Sequence, residues 1–362
     1  MLSKKLFLLL FLIVAFSLEV LIKTGGISPF LFEIIFNKNI ELKRSDKNTI
    51  NILLLGIAGG RHEGPNLSDT IIFASLNTKE SKITLVSLPR DVWSSDIDSK
   101  INTAYAKGEV KKSGGGLILA KSVVSKITGQ SIDYAVVIDF SGFVRAVDLI
   151  GGLNVNIERT FDDFEYPIAG KEDDPCENKA EDLEKLATAS SQLEAFPCRY
   201  EHLHFDKGLN HMDGDAALKF VRSRHAKGEE GTDFARSQRQ EKIIKAFMEK
   251  VFSLQIIVNP AKLIGLYNAV EQSVDTDIAE NEFDDFVKLA QKFQKAKIES
   301  VVLDYGDQEN DRGGLLTHPP ISGKYNFEWV LVPRTGTNDF SEIQEFIRCE
   351  LTRDTCIVSQ IP

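Results

Sequence analysis

Apolar positions along the chain fall into short runs and helical stripes that alternate. Residues 51–57 (NILLLGI) form an apolar run ending in glycine, the pattern of a strand buried on both faces, and 70–76 and 83–88 repeat it. Leu117, Ala120, Val124 and Ile127 then recur at helical spacing within 116–128, followed by a β-branched run at 132–138. Residues 143–150 read as helix and 153–157 as strand. Strands alternating with helices of about ten residues define a layered α/β domain around a buried sheet.

The rhythm stops at an acidic stretch, about 162–205, where Pro167, Gly170, Pro175 and Pro197 mark loop structure around one expected helix at 181–193. It reads as an inserted excursion. Regular structure resumes with Asp213 as the N-cap of a short helix through Phe220. An amphipathic helix follows at 234–252, with Ile243, Phe247 and Val251 as its buried stripe. Helical patterns recur at 261–270, 281–293 and 341–351, with strand-like segments at 298–303 and 329–332. The last third is expected to complete the same fold.

The N-terminus sets the expected compartment. Lys4 and Lys5 precede a 17-residue apolar run, 6–22, broken late by Glu19 and followed by Lys23. Basic residues ahead of an apolar segment stay cytoplasmic, so the bulk of the chain is expected outside the cytoplasm behind an uncleaved anchor, with a cleaved signal peptide as the alternative. The four cysteines suit that compartment: Cys176 and Cys198 bracket part of the acidic stretch, Cys349 and Cys356 lie seven apart, and two local disulfides are expected, with free thiols as the alternative. Forty-three basic against 53 acidic residues give a net charge of −10 over 362 residues, which argues against a nucleic-acid partner. Much of the imbalance is local, since 162–184 holds ten acids and two bases.

Four clusters could carry chemistry: Ser68-Asp69-Thr70, Pro89-Arg90-Asp91, Arg222-Ser223-Arg224, and the run from Asp233 to Gln240 (DFARSQRQ). Arg236, Arg239 and Gln240 stand at i, i+3 and i+4 near a helix N-terminus, which itself favours anions, so one anion-binding face is expected. Guanidinium forks match phosphate oxygens bidentately, and several of them with a carboxylate-held divalent cation suit transfer at a pyrophosphate. Asp69 is the natural metal ligand. Each cluster alone is weak, since a charged helix face is usually just solvated and an arginine after a strand usually caps a surface; their joint occurrence calls for another explanation. A nucleotide-binding reading of Gly56, Gly59, Gly60 and Gly64 fits neither GxGxxG nor a P-loop.

In this order, with NILLLG, SDT, SLPRD, KIN at 100–102, VVIDFSGF, LIGG, HMDGDAALKFVRSR and DFARSQRQ, the chain resembles the LytR-CpsA-Psr family from about residue 51 to 251, and more loosely to 303. The resemblance implies a three-layer α/β/α sandwich with a mixed central sheet, preceded by an N-terminal transmembrane helix. It divides the chain into an anchor (1–26), a linker (27–46), a catalytic domain (47–305) with the acidic insertion, and a C-terminal extension (306–362). The implied activity is extracytoplasmic transfer of a glycopolymer phosphate from a polyprenyl pyrophosphate carrier to a peptidoglycan or other wall hydroxyl, with Mg²⁺.

Carried over by position, Asp69 corresponds to a magnesium-associated carboxylate, and Arg90, Arg222, Arg224, Arg236 and Gln240 to groups that hold pyrophosphate. Lys100, Asp233 and Arg239 are secondary candidates, with Asp91 or Asp233 as proton acceptor. The lipid tail needs an apolar tunnel, for which the helices at 116–128 and 143–150 are the candidates. Ala58 stands where the family often has a second aspartate, and Leu67 where an arginine commonly precedes SDT, which puts metal affinity in doubt. A non-catalytic binder of polyprenyl-linked glycan or peptidoglycan, and a polyprenyl pyrophosphatase, are the alternatives. Val332-Pro333-Arg334-Thr335-Gly336 mimics a sorting motif but is followed by no apolar span and basic tail.

Overall fold

The computed structural model describes residues 39–356 apart from 61–63, 180–188, 252–264, 267, 269–270, 272, 294, 308–311 and 353–355. The apolar segment 6–22 lies outside these, and among the described residues no helix is long and apolar enough to cross a membrane.

Strands Thr49–Ile57 (β1), Ser68–Asn77 (β2) and Lys82–Ser87 (β3) run antiparallel in sequence order. Their side chains alternate between two apolar faces. Leu53, Leu55, Ile71, Phe73 and Val86 enter one core, and Ile50, Ile72, Ala74, Ile83 and Leu85 the other. Helices Ala104–Lys111 (α1) and Gly115–Thr128 (α2) cover the first face, Leu117, Ala120, Val123, Val124 and Ile127 joining its core. The α2 residues considered for a lipid tunnel are thus packed against the sheet. Tyr134–Asp139 (β4) adds parallel to β1, and helix Phe140–Leu149 (α3) follows at once because the Asp139 carboxylate accepts from Gly142 N at 2.6 Å and caps it.

Leu153–Ile157 (β5), Phe161–Pro167 (β6), Tyr200–Phe205 (β7) and Gly208–Met212 (β8) form two antiparallel pairs, β5 with β8 and β6 with β7. The acidic excursion is therefore based on a hairpin rather than on loop alone. Its acids hide an inward alternation: Phe161, Asp163 and Tyr166 are buried, and a register shift lies between Asp163 and Tyr166. The helix expected at 181–193 falls mostly outside the described residues, and one turn, Gln192–Ala195, follows Ser191. The Cys176–Cys198 disulfide joins this excursion to the start of β7, with Cα atoms 5.4 Å apart, and Cys349 pairs with Cys356.

Gly214–Arg222 (α4) is capped by Asp213, whose carboxylate accepts from Ala216 N. A Cβ at Gly214 would lie 2.3 Å from the Val144 carbonyl oxygen, so glycine there permits the close approach of α4 to α3. Asp233–Val251 (α5) packs on both α4 and β5, and buries Ile243 with Phe247 and Val251 against it in a second core with Phe161, Phe205 and Phe220. Val274–Thr276 (β9), Phe283–Lys292 (α6) and Lys297–Val302 (β10) complete the sheet and its second cover. The six-stranded order β9-β4-β1-β2-β3-β10 is mixed: β9 is antiparallel to β4, and β10 parallel to β3.

The helix expected at 261–270 lies largely outside the described residues. The strand expected at 329–332 shrinks to Val332–Pro333, paired with Leu316–Thr317, plus a bridge from Leu331 to Val92. Ser341–Thr352 (α7) and this segment send Leu331, Phe340, Ile343 and Ile347 into the first core. Arg334 of the sorting-like motif is buried against Glu342 of α7, which is a structural contact.

Phe73, in the middle of the sheet, is among the largest fully buried side chains. Phe73→Ala should cost about 3–5 kcal/mol. Urea unfolding of the purified chain measures it, and a loss under about 1 kcal/mol would contradict this packing.

Candidate active site

Six of the ten side chains singled out in the sequence meet around one pocket of about 180 Å³: Asp69, Arg90, Arg222, Arg224, Arg236 and Gln240. They arrive from five places. Asp69 is the second residue of β2, Arg90 follows β3, Arg222 ends α4, Arg224 lies in the loop beyond it, and Arg236 and Gln240 share one face of the first turns of α5.

Arg90 Nη1 donates to Asp69 Oδ1 at 2.6 Å, and its Nε lies 3.5 Å from Asp91 Oδ2. Burial opposes the Arg90 charge, but Asp69 and Asp91 outweigh it and hold the guanidinium above its ordinary pKa. The Arg222 guanidinium lies 4.4 Å over the Phe140 ring, and its Nη1 donates to the Tyr166 hydroxyl at 3.2 Å. Gln240 is buried, and its Oε1 has no hydrogen-bond partner among the described residues. An unsatisfied buried acceptor on a pocket wall is costly in isolation and suits a ligand donor such as a sugar hydroxyl.

Asp91 and Lys100 sit behind Arg90 rather than on the pocket wall. Lys100 Nζ bridges Asp91 Oδ1 and Glu328 Oε2, each at 3.1 Å. The KIN turn holds the PRD segment through its backbone as well, Ile101 N donating to Val92 O and Asn102 N to Arg90 O. Asp233 opens α5, and its side chain lies outside the described residues.

Arg239 departs from the expected single face. It is 2% exposed, with Nε on Phe220 O, Nη2 on Ser223 O and Nη1 on Glu230, and its guanidinium packs over the Phe161 ring. It thus ties the carbonyl end of α4, where a cation is favoured, to the turn before α5. Burial lowers its pKa to about 10, with Glu230 resisting, so it stays charged at neutral pH. The expected helical face splits because Arg236 and Gln240 turn to the pocket while Arg239 meets α4.

The site also contains residues that sequence reasoning did not single out. Asp163, fully buried at the centre of β6, accepts from the Ser223 hydroxyl at 2.7 Å and from Arg224 N and His225 N at 3.2 Å through Oδ2, while Oδ1 accepts from Glu165 N. One carboxylate therefore shapes the loop that presents Arg222 and Arg224. Phe140, Tyr166 and His225 join Thr70, already part of the Ser68-Asp69-Thr70 cluster, on the wall. Phe140 belongs to the VVIDFSGF motif, whereas Asp163 was concealed among solvent-facing acids.

Neither Ala58 nor Leu67 lines the pocket. The turn after Ala58 lies against the start of α3: Gly59 has φ +68°, and a Cβ there would come 2.7 Å from Asp139 Cβ.

Asp163→Ala removes the acceptor from three loop donors at once, so a stability loss of about 2–4 kcal/mol is expected. Urea unfolding measures the loss, and an unchanged midpoint would show that the loop does not depend on this carboxylate.

The LytR_cpsA_psr family model matches residues 33–316. A curated relative, the polyisoprenyl-teichoic acid–peptidoglycan teichoic acid transferase TagU of Bacillus cereus, is 28% identical over 253 residues, which cover 68% of this chain and 66% of that relative, just under two thirds of its length. Among solved structures, the Lin1025 protein from Listeria innocua superposes with a TM-score of 0.54 at 23% identity over 84% of this chain and 98% of that one. TagT bound to LIIa-WTA superposes at 0.52 and 19% identity, over 87% and 95%. The superpositions share the fold, and the family match spans most of the sequence together with the motifs that build the pocket. The chain belongs to the LytR-CpsA-Psr family.

Proposed function

We propose that this chain is a membrane-anchored, extracytoplasmic phosphotransferase that moves a glycopolymer phosphate from a polyprenyl pyrophosphate carrier to a peptidoglycan or other wall hydroxyl. The observation that carries the reading is the convergence of Arg90, Arg222, Arg224 and Arg236 on one pocket beside Asp69. The name of the Bacillus cereus relative, a transferase between polyisoprenyl-teichoic acid and peptidoglycan, supports it, as does the TagT complex. The basic flank of the apolar segment 6–22 supports the anchor and its orientation.

In this reading the acceptor hydroxyl oxygen attacks the sugar-linked phosphorus in line, the bond to the bridging oxygen breaks, and polyprenyl phosphate leaves. The arginines hold the pyrophosphate oxygens and offset the charge that develops on them. Tyr166 and Phe140 keep the Arg222 fork oriented, and Gln240 Oε1 accepts a hydrogen bond from substrate. Of the two carboxylates considered as proton acceptor, Asp233 at the start of α5 keeps that role, whereas Asp91, held by Lys100 behind Arg90, positions the guanidinium.

Asp69 fits Mg²⁺ in a limited way. One of its oxygens accepts from Arg90, and no cluster of His, Cys, Asp or Glu among the described residues includes it. Mg²⁺ tolerates a single protein carboxylate when phosphates and water supply the other ligands, so Asp69 would hold the ion together with substrate. When bound, the ion would supply further charge stabilisation at the phosphate oxygens.

The test is a transfer assay of the full chain in detergent with a polyprenyl pyrophosphate-linked oligosaccharide, with and without Mg²⁺ and peptidoglycan. Transfer that needs acceptor is expected. Tight lipid binding without turnover in any divalent cation would replace the reading with a capture protein, the alternative that Ala58 favours, and phosphate release indifferent to acceptor would replace it with a pyrophosphatase. Arg90→Ala and Arg236→Ala should each reduce turnover by a factor of about 100 or more while the fold remains. Wild-type rates in either variant would refute the assignment. Ala58→Asp should tighten Mg²⁺ dependence of turnover, and an unaltered titration would place that turn away from the metal.

A further inference from the structure

The hairpin that carries Asp163 on its inner face carries a second constellation on its outer face. Asp162 pairs with His204 across β6 and β7, and strand alternation puts His202 on the same side. Leu203, Phe205 and Asp163 point the other way and are buried, which fixes the backbone beneath the outward trio. His202 Nε2 lies 2.7 Å and His204 Nδ1 2.8 Å from the same Asp162 Oδ1, and one ligand atom from each of the three residues lies within 4.8 Å of the others.

Two neighbours orient the imidazoles. The Phe164 ring stacks on His202 with centroids 4.0 Å apart and planes within 5°. His204 Nε2 is 3.3 Å from Asp206 Oδ1. Without an ion both ring nitrogens of His204 face carboxylates, so Nδ1 holds a proton toward Asp162; an entering metal displaces that proton, and Asp206 then holds Nε2–H, which is the usual support of a metal-ligating imidazole.

We propose that Asp162, His202 and His204 form a binding site for a divalent transition metal of the Zn²⁺, Ni²⁺ or Cu²⁺ kind, separate from the arginine pocket, with Asp206 as its supporting carboxylate and water as the remaining ligand. Two imidazoles and one carboxylate suit these ions, whereas Mg²⁺ and Ca²⁺ favour oxygen alone. Metal–ligand bonds of about 2.0–2.2 Å in a tetrahedral arrangement put ligand atoms roughly 3.4 Å apart, so each Asp162–imidazole distance needs to open by under about 1 Å. The other grouping of this kind among the described residues, Asp174 with Cys176 and Cys198, offers no thiolate because its sulfurs are bonded to each other. The ion would pin β6 to β7 beside Asp163, and so brace the strand that shapes the Ser223–His225 loop.

The test uses the untagged full chain in detergent, stripped with chelator and titrated with ZnCl₂ by calorimetry, with electron paramagnetic resonance of a CuCl₂-loaded sample. One Zn²⁺ per chain, a Cu²⁺ spectrum with coupling to two imidazole nitrogens, and no displacement by millimolar MgCl₂ are expected. The His202→Ala/His204→Ala double variant should lose this site, and Asp206→Asn should weaken it about tenfold. Equal Zn²⁺ uptake by wild type and the double variant, or a wild-type Cu²⁺ spectrum without two-nitrogen coupling, would overturn the proposal. The Cu²⁺ spectrum needs only the wild-type chain and decides the matter even if a variant fails to fold.

Discussion

Four guanidinium groups gathered around one small pocket repel each other, and the molecule is organised around holding them there. No single element could do so. Arg90 is anchored by Asp69 and backed by Asp91 and Lys100, Arg222 is laid on Phe140 and Tyr166, and Arg224 sits on a loop whose shape is set by the buried Asp163. Charges that are fixed before a ligand arrives need little reorganisation to meet phosphate oxygens, which is the condition for strong electrostatic stabilisation.

The neutralising carboxylates are divided by function. Asp69 remains on the pocket wall, whereas Asp163 is consumed by the backbone and hydroxyl of the 223–225 loop. Arg239 mirrors that division among the cations, since its guanidinium is spent on the carbonyls of Phe220 and Ser223 and on Glu230. A buried cation of this kind joins α4, the turn before α5 and α5 itself, so the segments that deliver Arg222 and Arg236 are fixed relative to each other. The hairpin of β6 and β7 is the shared support: its inner face shapes the arginine loop, and its outer face places two imidazoles against one carboxylate.

Much of the fold was legible because strand alternation and helical stripes are local signals. The apolar runs at 51–57, 70–76 and 83–88 became β1, β2 and β3, and Asp213 capped α4 as its side chain and position suggested. The β6–β7 hairpin was not legible, because its buried positions are interleaved with outward acids and one register shift breaks the period of two. The short α1 was missed as well: Lys107, Glu109 and Lys111 among its alanines and glycine give it little apolar stripe.

The sequence by itself determined the alternation of elements, the supply of arginines and their family order, and the pairing of helix positions 236 and 240, since each depends on residues close along the chain. Only the tertiary structure decided that Arg239 turns away from them, that Lys100 stands behind Arg90, and that Asp163 belongs to the site rather than to a solvated acidic loop. Helical spacing fixes the angle between side chains on one axis but not which neighbour each will meet. That depends on how α4, α5 and the hairpin pack around their common core, and a buried charge goes where unsatisfied backbone groups can receive it.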